Sequence, residues 1–202
     1  MPNTLHQTFG NIDIYLFDQL LKGRFYNCKK VLDAGCGAGR NLHYFLQNGF
    51  EVFGIDPNIQ AVEIVQQLSK TLAPQNPVGN FLISTAEDLP FNDNEFDLLI
   101  SSAVLHFAHN ERHFDSMIRS MFRVLKPGGY FFGRLASDIG IEDLIKPLGH
   151  RRYLLPDGSE RFLVNQQTLL NYTAEFGKLY EPIKTTNVQN LRCMTTWCVQ
   201  KQ

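Results

Sequence analysis

Apolar positions along this chain recur with two alternating periods. Ile12, Tyr15, Leu16, Gln19, Leu20 and Phe25 fall near one helical stripe, which predicts a helix over 11–25 that Gly23 loosens at its end. Lys30-Val31-Leu32-Asp33-Ala34 reads as a short buried strand that stops at glycines. A helix over 40–48 follows, with Leu42, Phe45 and Leu46 inward and Gly49 as its stop. The alternation then repeats. Glu51 to Ile55 is a strand running into Asp56-Pro57, and Ala61, Ile64, Val65, Leu68 and Leu72 mark a helix over 59–72 that Pro74 and Pro77 break. Phe81 to Ile83 and Phe96 to Ile100 read as strands, the second entered from Asn92-Asp93-Asn94. Asn110 caps a helix whose inner face is Phe114, Met117, Ile118, Met121 and Leu125. Lys126-Pro127-Gly128-Gly129 turns that helix into a strand from Tyr130 to Leu135.

Strands alternating with helices imply right-handed βαβ units, hence an α/β fold with a mostly parallel, doubly wound sheet covered on both faces. The end of the chain breaks the rule. A helix over 165–176 is followed by two strand patterns, 178–188 and 191–200, joined by a turn at Gln189-Asn190. So short a turn joins antiparallel neighbours. Residues 137–164 interrupt the alternation, and inside them Tyr153 to Leu155 and Arg161 to Val164 flank the turn Pro156-Asp157-Gly158-Ser159, a small hairpin. No repeat or linker-like stretch divides the 202 residues, so one domain over 1–202 with a lid-like insertion at 137–164 is expected.

Composition narrows the function classes. With 19 basic and 20 acidic side chains the formal charge is −1, so no basic face for nucleic acid is expected. No apolar run approaches the ~20 residues of a membrane helix, so no membrane partner is expected. The first residues lack a basic cluster followed by an apolar stretch, which makes the cytoplasm the expected compartment. Cys28, Cys36, Cys193 and Cys198 form no C-x-x-C pair, and free thiols are expected.

The chemistry gathers at strand ends, where open parallel sheets bind ligands. After the first strand comes Asp33-Ala34-Gly35-Cys36-Gly37-Ala38-Gly39. Dinucleotide loops place glycine three residues after the second glycine of G-x-G, but Arg40 stands there. A carboxylate at the lip would repel a pyrophosphate and suits an ammonium group, which favours an amino-acid-bearing nucleoside. Asp56 closes the second strand, where an acid accepts hydrogen bonds from ribose hydroxyls. Thr85-Ala86-Glu87-Asp88-Leu89-Pro90-Phe91 follows the third strand and offers polar groups to a base edge beside an apolar wall. Ser101 to His106 follows the fourth.

Val31 to Arg40, Gly54-Ile55-Asp56, Ala86 to Phe91, Phe96 to Ile100 and Arg123 to Gly129 occur in this order. Together they resemble the class I S-adenosylmethionine-dependent methyltransferases, notably their type 11 group, over residues 28–136. The resemblance implies a Rossmann-like sheet of seven strands in the order 3-2-1-4-5-7-6, the last antiparallel. It implies that Asp33 and the loop of Gly35, Cys36, Gly37 and Gly39 hold the methionine part of the donor. Asp56 would hold its ribose, Ala86 and Glu87 would lie beside adenine, and Ser101 would turn its carbonyl to the amino group. Asn41 and Pro57 adjoin the loop and the acid and complete that donor set. Many relatives place an acid directly before the Ala-Glu pair, where this chain has Thr85; Thr85, Glu87 or Asp88 would then meet adenine. S-adenosylmethionine is the expected methyl donor and S-adenosylhomocysteine the product.

On the acceptor side His106 is the expected catalytic residue, as a base or an orienting donor, although a ring merely packed at the sheet end gives the same sequence. The spacing of His106, His109 and His113 could suggest a metal, but no acid or cysteine framework accompanies it, and none is expected. Tyr15, Arg134, Arg152 and Arg161 are the expected acceptor contacts, the two arginines of the insertion greeting an anionic small molecule. The expected activity is in-line methyl transfer to a small molecule by a monomer or homodimer. A non-catalytic donor-binding protein, a nicotinamide oxidoreductase and a nucleic-acid methyltransferase stand as alternatives in descending order.

Overall fold

The computed structural model describes residues 4–202. Its central sheet has the order β10-β11-β5-β4-β1-β2-β3. The strands are β1 (Lys30–Ala34), β2 (Glu51–Asp56), β3 (Phe81–Ile83), β4 (Phe96–Ser102), β5 (Leu125–Ser137), β10 (Lys184–Val188) and β11 (Arg192–Lys201). The first five run parallel, whereas β11 is antiparallel to both β5 and β10. Counting β10 and β11 as the sixth and seventh strands of the fold gives 3-2-1-4-5-7-6, the expected order. The short β9 (Gly177–Leu179) adds to the far half of β11.

The central strands β1, β2, β4 and β5 are largely apolar because both faces are buried. Alternate residues feed two separate cores. Val31, Leu98, Ile100 and Phe132 pack with Leu16, Phe45, Leu46 and Val65 from α2 (Ile14–Leu21), α3 (His43–Gln47) and α4 (Ile59–Leu72). Leu32, Leu99, Phe131 and Trp197 face the other way, onto α5 (Glu111–Val124) and α6 (Gln166–Phe176). The period of two along each strand sorts the neighbours of one sequence run onto opposite layers.

Several boundaries differ from the pattern, each for a local reason. The helix expected over 11–25 spans only Ile14–Leu21, because the Asp13 side chain caps it by accepting the Tyr15 N–H and Gly23, at φ 68°, ends it. A short α1 (Leu5–Phe9) precedes it, closed by a capping box in which Thr4 and Gln7 satisfy each other's backbone N–H groups. The helix expected over 40–48 is a single turn, His43–Gln47, preceded by turns that leave the glycine loop. Strand β5 begins at Leu125 instead of Tyr130, and its pairing with β4 slips at Pro127-Gly128-Gly129, a bulge. The strand pattern over 178–188 is interrupted at Glu181-Pro182, since proline has no N–H to give the ladder.

Residues 138–164 carry a second sheet, β6 (Lys146–Gly149), β7 (Arg152–Leu154) and β8 (Glu160–Phe162), antiparallel in that order. The expected hairpin is β7–β8; β6 is additional. Leu155 and Leu163 anchor this sheet against Ala136 and Met194 at the end of the main sheet. Among the described residues no helix is long and apolar enough to cross a membrane, and the four cysteines are free and buried.

Candidate functional site

The strand order reverses between β1 and β4, the place where open α/β sheets leave a crevice at their carboxyl ends. Leaving β1, the chain turns at Gly35 with φ 88°, and a Cβ there would overlap the Val104 side chain. The loop is pinned to β2. The N–H groups of Gly35 and Cys36 both donate to the Ile55 carbonyl, at 2.8 and 2.9 Å. At Gly39, φ is 81° and a Cβ would stand 2.8 Å from both Val65 and Leu68, so glycine lets the loop lie directly on α4. The Cys36 thiol points into the core against Gly54, and burial pushes it far above the ordinary thiol range.

Two carboxylates frame this turn. Asp56 accepts the Gly37 N–H on Oδ2 at 3.0 Å and the Asn58 N–H on Oδ1 at 2.9 Å. Each oxygen keeps a further lone pair for a ligand. Asp33 is 1% exposed, and neither of its oxygens has a hydrogen-bond partner. Asn41 approaches it without making a bond of proper geometry. Burial pushes the Asp33 carboxyl up to about 7, against the pull of the Arg40 guanidinium and with a further push from Asp56. An unsatisfied buried acid of this kind is costly unless something positive meets it.

Above the turn lies a cavity of about 410 Å³ lined by Gly35, Asp56, Pro57, Thr85, Ala86 and Glu87 from the expected set, and by Val104, Phe107, His109 and Met117. Glu87 faces His113 at 3.4 Å, and although burial alone would raise it, its backbone N–H and His113 hold it below the usual carboxylate range. His113 Nδ1 accepts the His109 N–H and the two rings stack.

A second cavity of about 350 Å³ shares Ala103 and Phe107 with the first and opens under the insertion. His106, Ser159, Arg161, Arg192 and Met194 line it. His106 Nδ1 accepts the Ala136 N–H at 3.3 Å, which puts the imidazole proton on Nε2. Burial, assisted by Arg161, lowers His106 to about 4, so the ring is neutral near pH 7. The three histidines therefore divide between the cavities and do not converge on a common point.

The remaining expected residues lie outside both linings. Arg134 is 3.1 Å from Asp13, donates to Thr196 and covers the Tyr15 ring, while the Tyr15 hydroxyl meets Thr186 at 2.6 Å. Arg152 pairs with Glu160 at 3.2 Å across β7–β8. Asn41 accepts the Asp13 N–H and so ties the glycine loop to the start of α2. Ser101 is fully buried at the end of β4. Phe107, Arg192 and Met194 have no motif around them. The sign that could have found Arg192 is pairing: Cys193 sits opposite Ser137, which brings the start of β11 beside the insertion.

The cradle fits S-adenosylmethionine on this chain's own features: an unpartnered acid for an ammonium group, an acid with free lone pairs at ribose position, and a glycine turn with no Cβ. A family model described as a methyltransferase domain matches residues 32–133. An uncharacterized methyltransferase of Synechocystis sp. is 39% identical over 103 residues, which is 51% of this chain and 45% of that protein. The chain spans less than half the length of the curated relatives it matches. A SAM-dependent methyltransferase from Methanosarcina mazei superposes with a TM-score of 0.70 at 21% identity, covering 90% of this chain and 96% of that one. The 1,6-didemethyltoxoflavin-N1-methyltransferase of Burkholderia thailandensis, solved with its substrate and S-adenosylhomocysteine, gives 0.62 at 16% identity over 91% of this chain and 75% of that one. With the family model covering half of the sequence and these structures superposing on its fold, the chain belongs to the methyltransferase-domain family of class I S-adenosylmethionine-dependent methyltransferases.

Proposed function

We propose that this protein moves the methyl group of S-adenosylmethionine onto a small molecule seated in the second cavity. One observation carries the reading: the cavity over the glycine turn and Asp56 and a separate cavity under the insertion meet at Ala103 and Phe107. The bound donor supplies a methyl group activated by a positive sulfur. The protein's task is to hold both partners in line, which is worth several kcal/mol of the barrier.

Asp33 receives the ammonium of the methionine part, and Ser101 offers the same group its backbone carbonyl. Asp56 takes the ribose hydroxyls with the lone pairs that Gly37 and Asn58 leave free. Thr85, Ala86 and Glu87 border the adenine. Cys36, Gly37 and Gly39 shape the turn, Asn41 fixes it to α2, and Pro57 walls the ribose side. Tyr15 and Arg134 act at one remove, by fixing α2 near the loop. His106 is the residue proposed to touch the acceptor. A ring that is neutral at pH 7 and gives Nδ1 to a backbone N–H works through Nε2–H, so it orients an acceptor atom and does not remove a proton from it.

Purified protein incubated with isotopically labelled S-adenosylmethionine and metabolite pools should release S-adenosylhomocysteine only when a pool is added. Asp56→Ala should weaken donor binding about tenfold to a hundredfold by calorimetry. Binding without turnover on any pool would favour a donor-binding protein instead. Absence of donor binding would end the proposal.

A further inference from the structure

The second cavity carries a chemical signature that the fold and the donor site do not dictate. Its lining brings together two guanidinium groups from distant parts of the chain, Arg161 on β8 and Arg192 at the start of β11. Arg161 donates to the Glu160 carbonyl at 2.8 Å, and among the described residues no carboxylate lies within ion-pairing distance of it. Arg192 has one loose partner, Asp157 at 3.7 Å. Two arginines against one carboxylate leave this lining with an excess positive charge, since His106 is neutral there.

The apolar half of the cavity is equally particular. Phe107 is 55% exposed on the wall that both cavities share, and the Arg161 guanidinium stands 5.1 Å from its ring centroid. The His106 ring lies 4.6 Å from the same ring, tilted by 57°. Leu155 and Met194 complete the apolar surface. A large exposed ring beside a cation and a hydrogen-bond donor is a surface for a flat molecule with a negative group.

Resting on the reading of this cavity as the acceptor site, we propose that the acceptor is a planar, anionic small molecule. Its carboxylate or comparable acidic group lies between Arg161 and Arg192. Its ring lies along Phe107, and the atom to be methylated points past Ala103 to the donor, steadied by His106 Nε2–H. Arg152, turned to Glu160, takes no part.

The test uses 4-hydroxybenzoate and its neutral amide, titrated into the 202-residue chain with and without saturating S-adenosylhomocysteine. The anion should bind about tenfold or more tightly than the amide. Arg161→Gln and Arg192→Gln should each reduce that preference, the double variant should abolish it, and Arg152→Gln should leave it intact. Affinity for S-adenosylhomocysteine should stay within about threefold in all of them, which also reports that they are folded. Equal binding of the two probes, a preference that survives the double variant, or no binding of either probe would overturn the anionic site. A preference seen only without S-adenosylhomocysteine would also overturn it, because the anion would then occupy donor space. Loss of S-adenosylhomocysteine binding by the parent protein would instead remove the donor reading, while the titration without it still decides the anion site.

Discussion

Asp33 is held in the folded chain at a cost that a ligand can relieve. Its folded pKa of about 7 lies above the ordinary value of 3.8. A carboxyl raised in this way contributes stability below its unfolded pKa, and that contribution is lost as pH rises toward 7. Asp33→Asn should therefore stabilise the free protein near pH 8, by an amount on the order of 2–4 kcal/mol, and do little near pH 4. Thermal unfolding at the two pH values measures the difference, and an unchanged midpoint at pH 8 would show the acid already satisfied. The same variant should lose S-adenosylmethionine affinity by about tenfold or more, since its amide cannot neutralise an ammonium. His106 has the opposite sign. Lowered from 6.5 to about 4, it withdraws stability as pH falls through that window, because only the unfolded chain then takes up the proton. The residues proposed to hold the donor could be picked out in the sequence because each sits at the end of a recognisable strand. Asp33, Asp56 and the stretch from Thr85 to Glu87 needed only that placement. Arg192 was not legible, since it reaches the cavity through a strand pairing that spans the whole insertion.

Among the elements, α2 depends on one side chain. Asp13 caps the helix, receives Arg134 at 3.1 Å and Arg40 at 3.8 Å, and passes its own N–H to Asn41. Arg40 in turn donates to Ser102 at the end of β4. Asp13→Ala removes the cap and leaves the half-buried Arg134 without its carboxylate, so stability should fall by about 2–4 kcal/mol. Hydrogen exchange should show residues 14–21 losing protection first, with β1 and β4 little changed. Uniform loss across the sheet would mean that α2 is no separate unit. The sequence marked the end of α2 at Gly23, whereas its start at Asp13 and the whole of α1 were not anticipated. Strand β6 offered no such sign. All four of its residues, Lys146-Pro147-Leu148-Gly149, are exposed, so no alternation marks it. Its turn to β7 places His150 and Arg151 at φ 53° and 57°, a left-handed pair without the glycine or asparagine that usually betrays such turns.

At the scale of the molecule, the alternation of strands and helices fixes where a ligand site must form, and the insertion decides what else can enter. The first part was readable from periodicity, because strands buried on two faces and amphipathic helices leave strong patterns. The second was not, because a cavity between two sheets belongs to neither one's pattern. Ala103 stands where the two parts meet. It follows β4 directly, donates its N–H to the Arg134 carbonyl at 2.7 Å and lies at φ 65°, in the left-handed region. A β-branched residue there meets backbone strain of about 1–3 kcal/mol. It would also add methyl groups where the two cavities meet. Ala103→Val should leave S-adenosylhomocysteine binding within about threefold and lower methyl transfer by about a hundredfold or more, in kcat more than in KM. Ala103→Gly relieves the strain, keeps the passage open and should retain most of the transfer activity. If the valine variant turned over normally, the two cavities would not communicate through this residue, and the acceptor would have to reach the methyl group by another route.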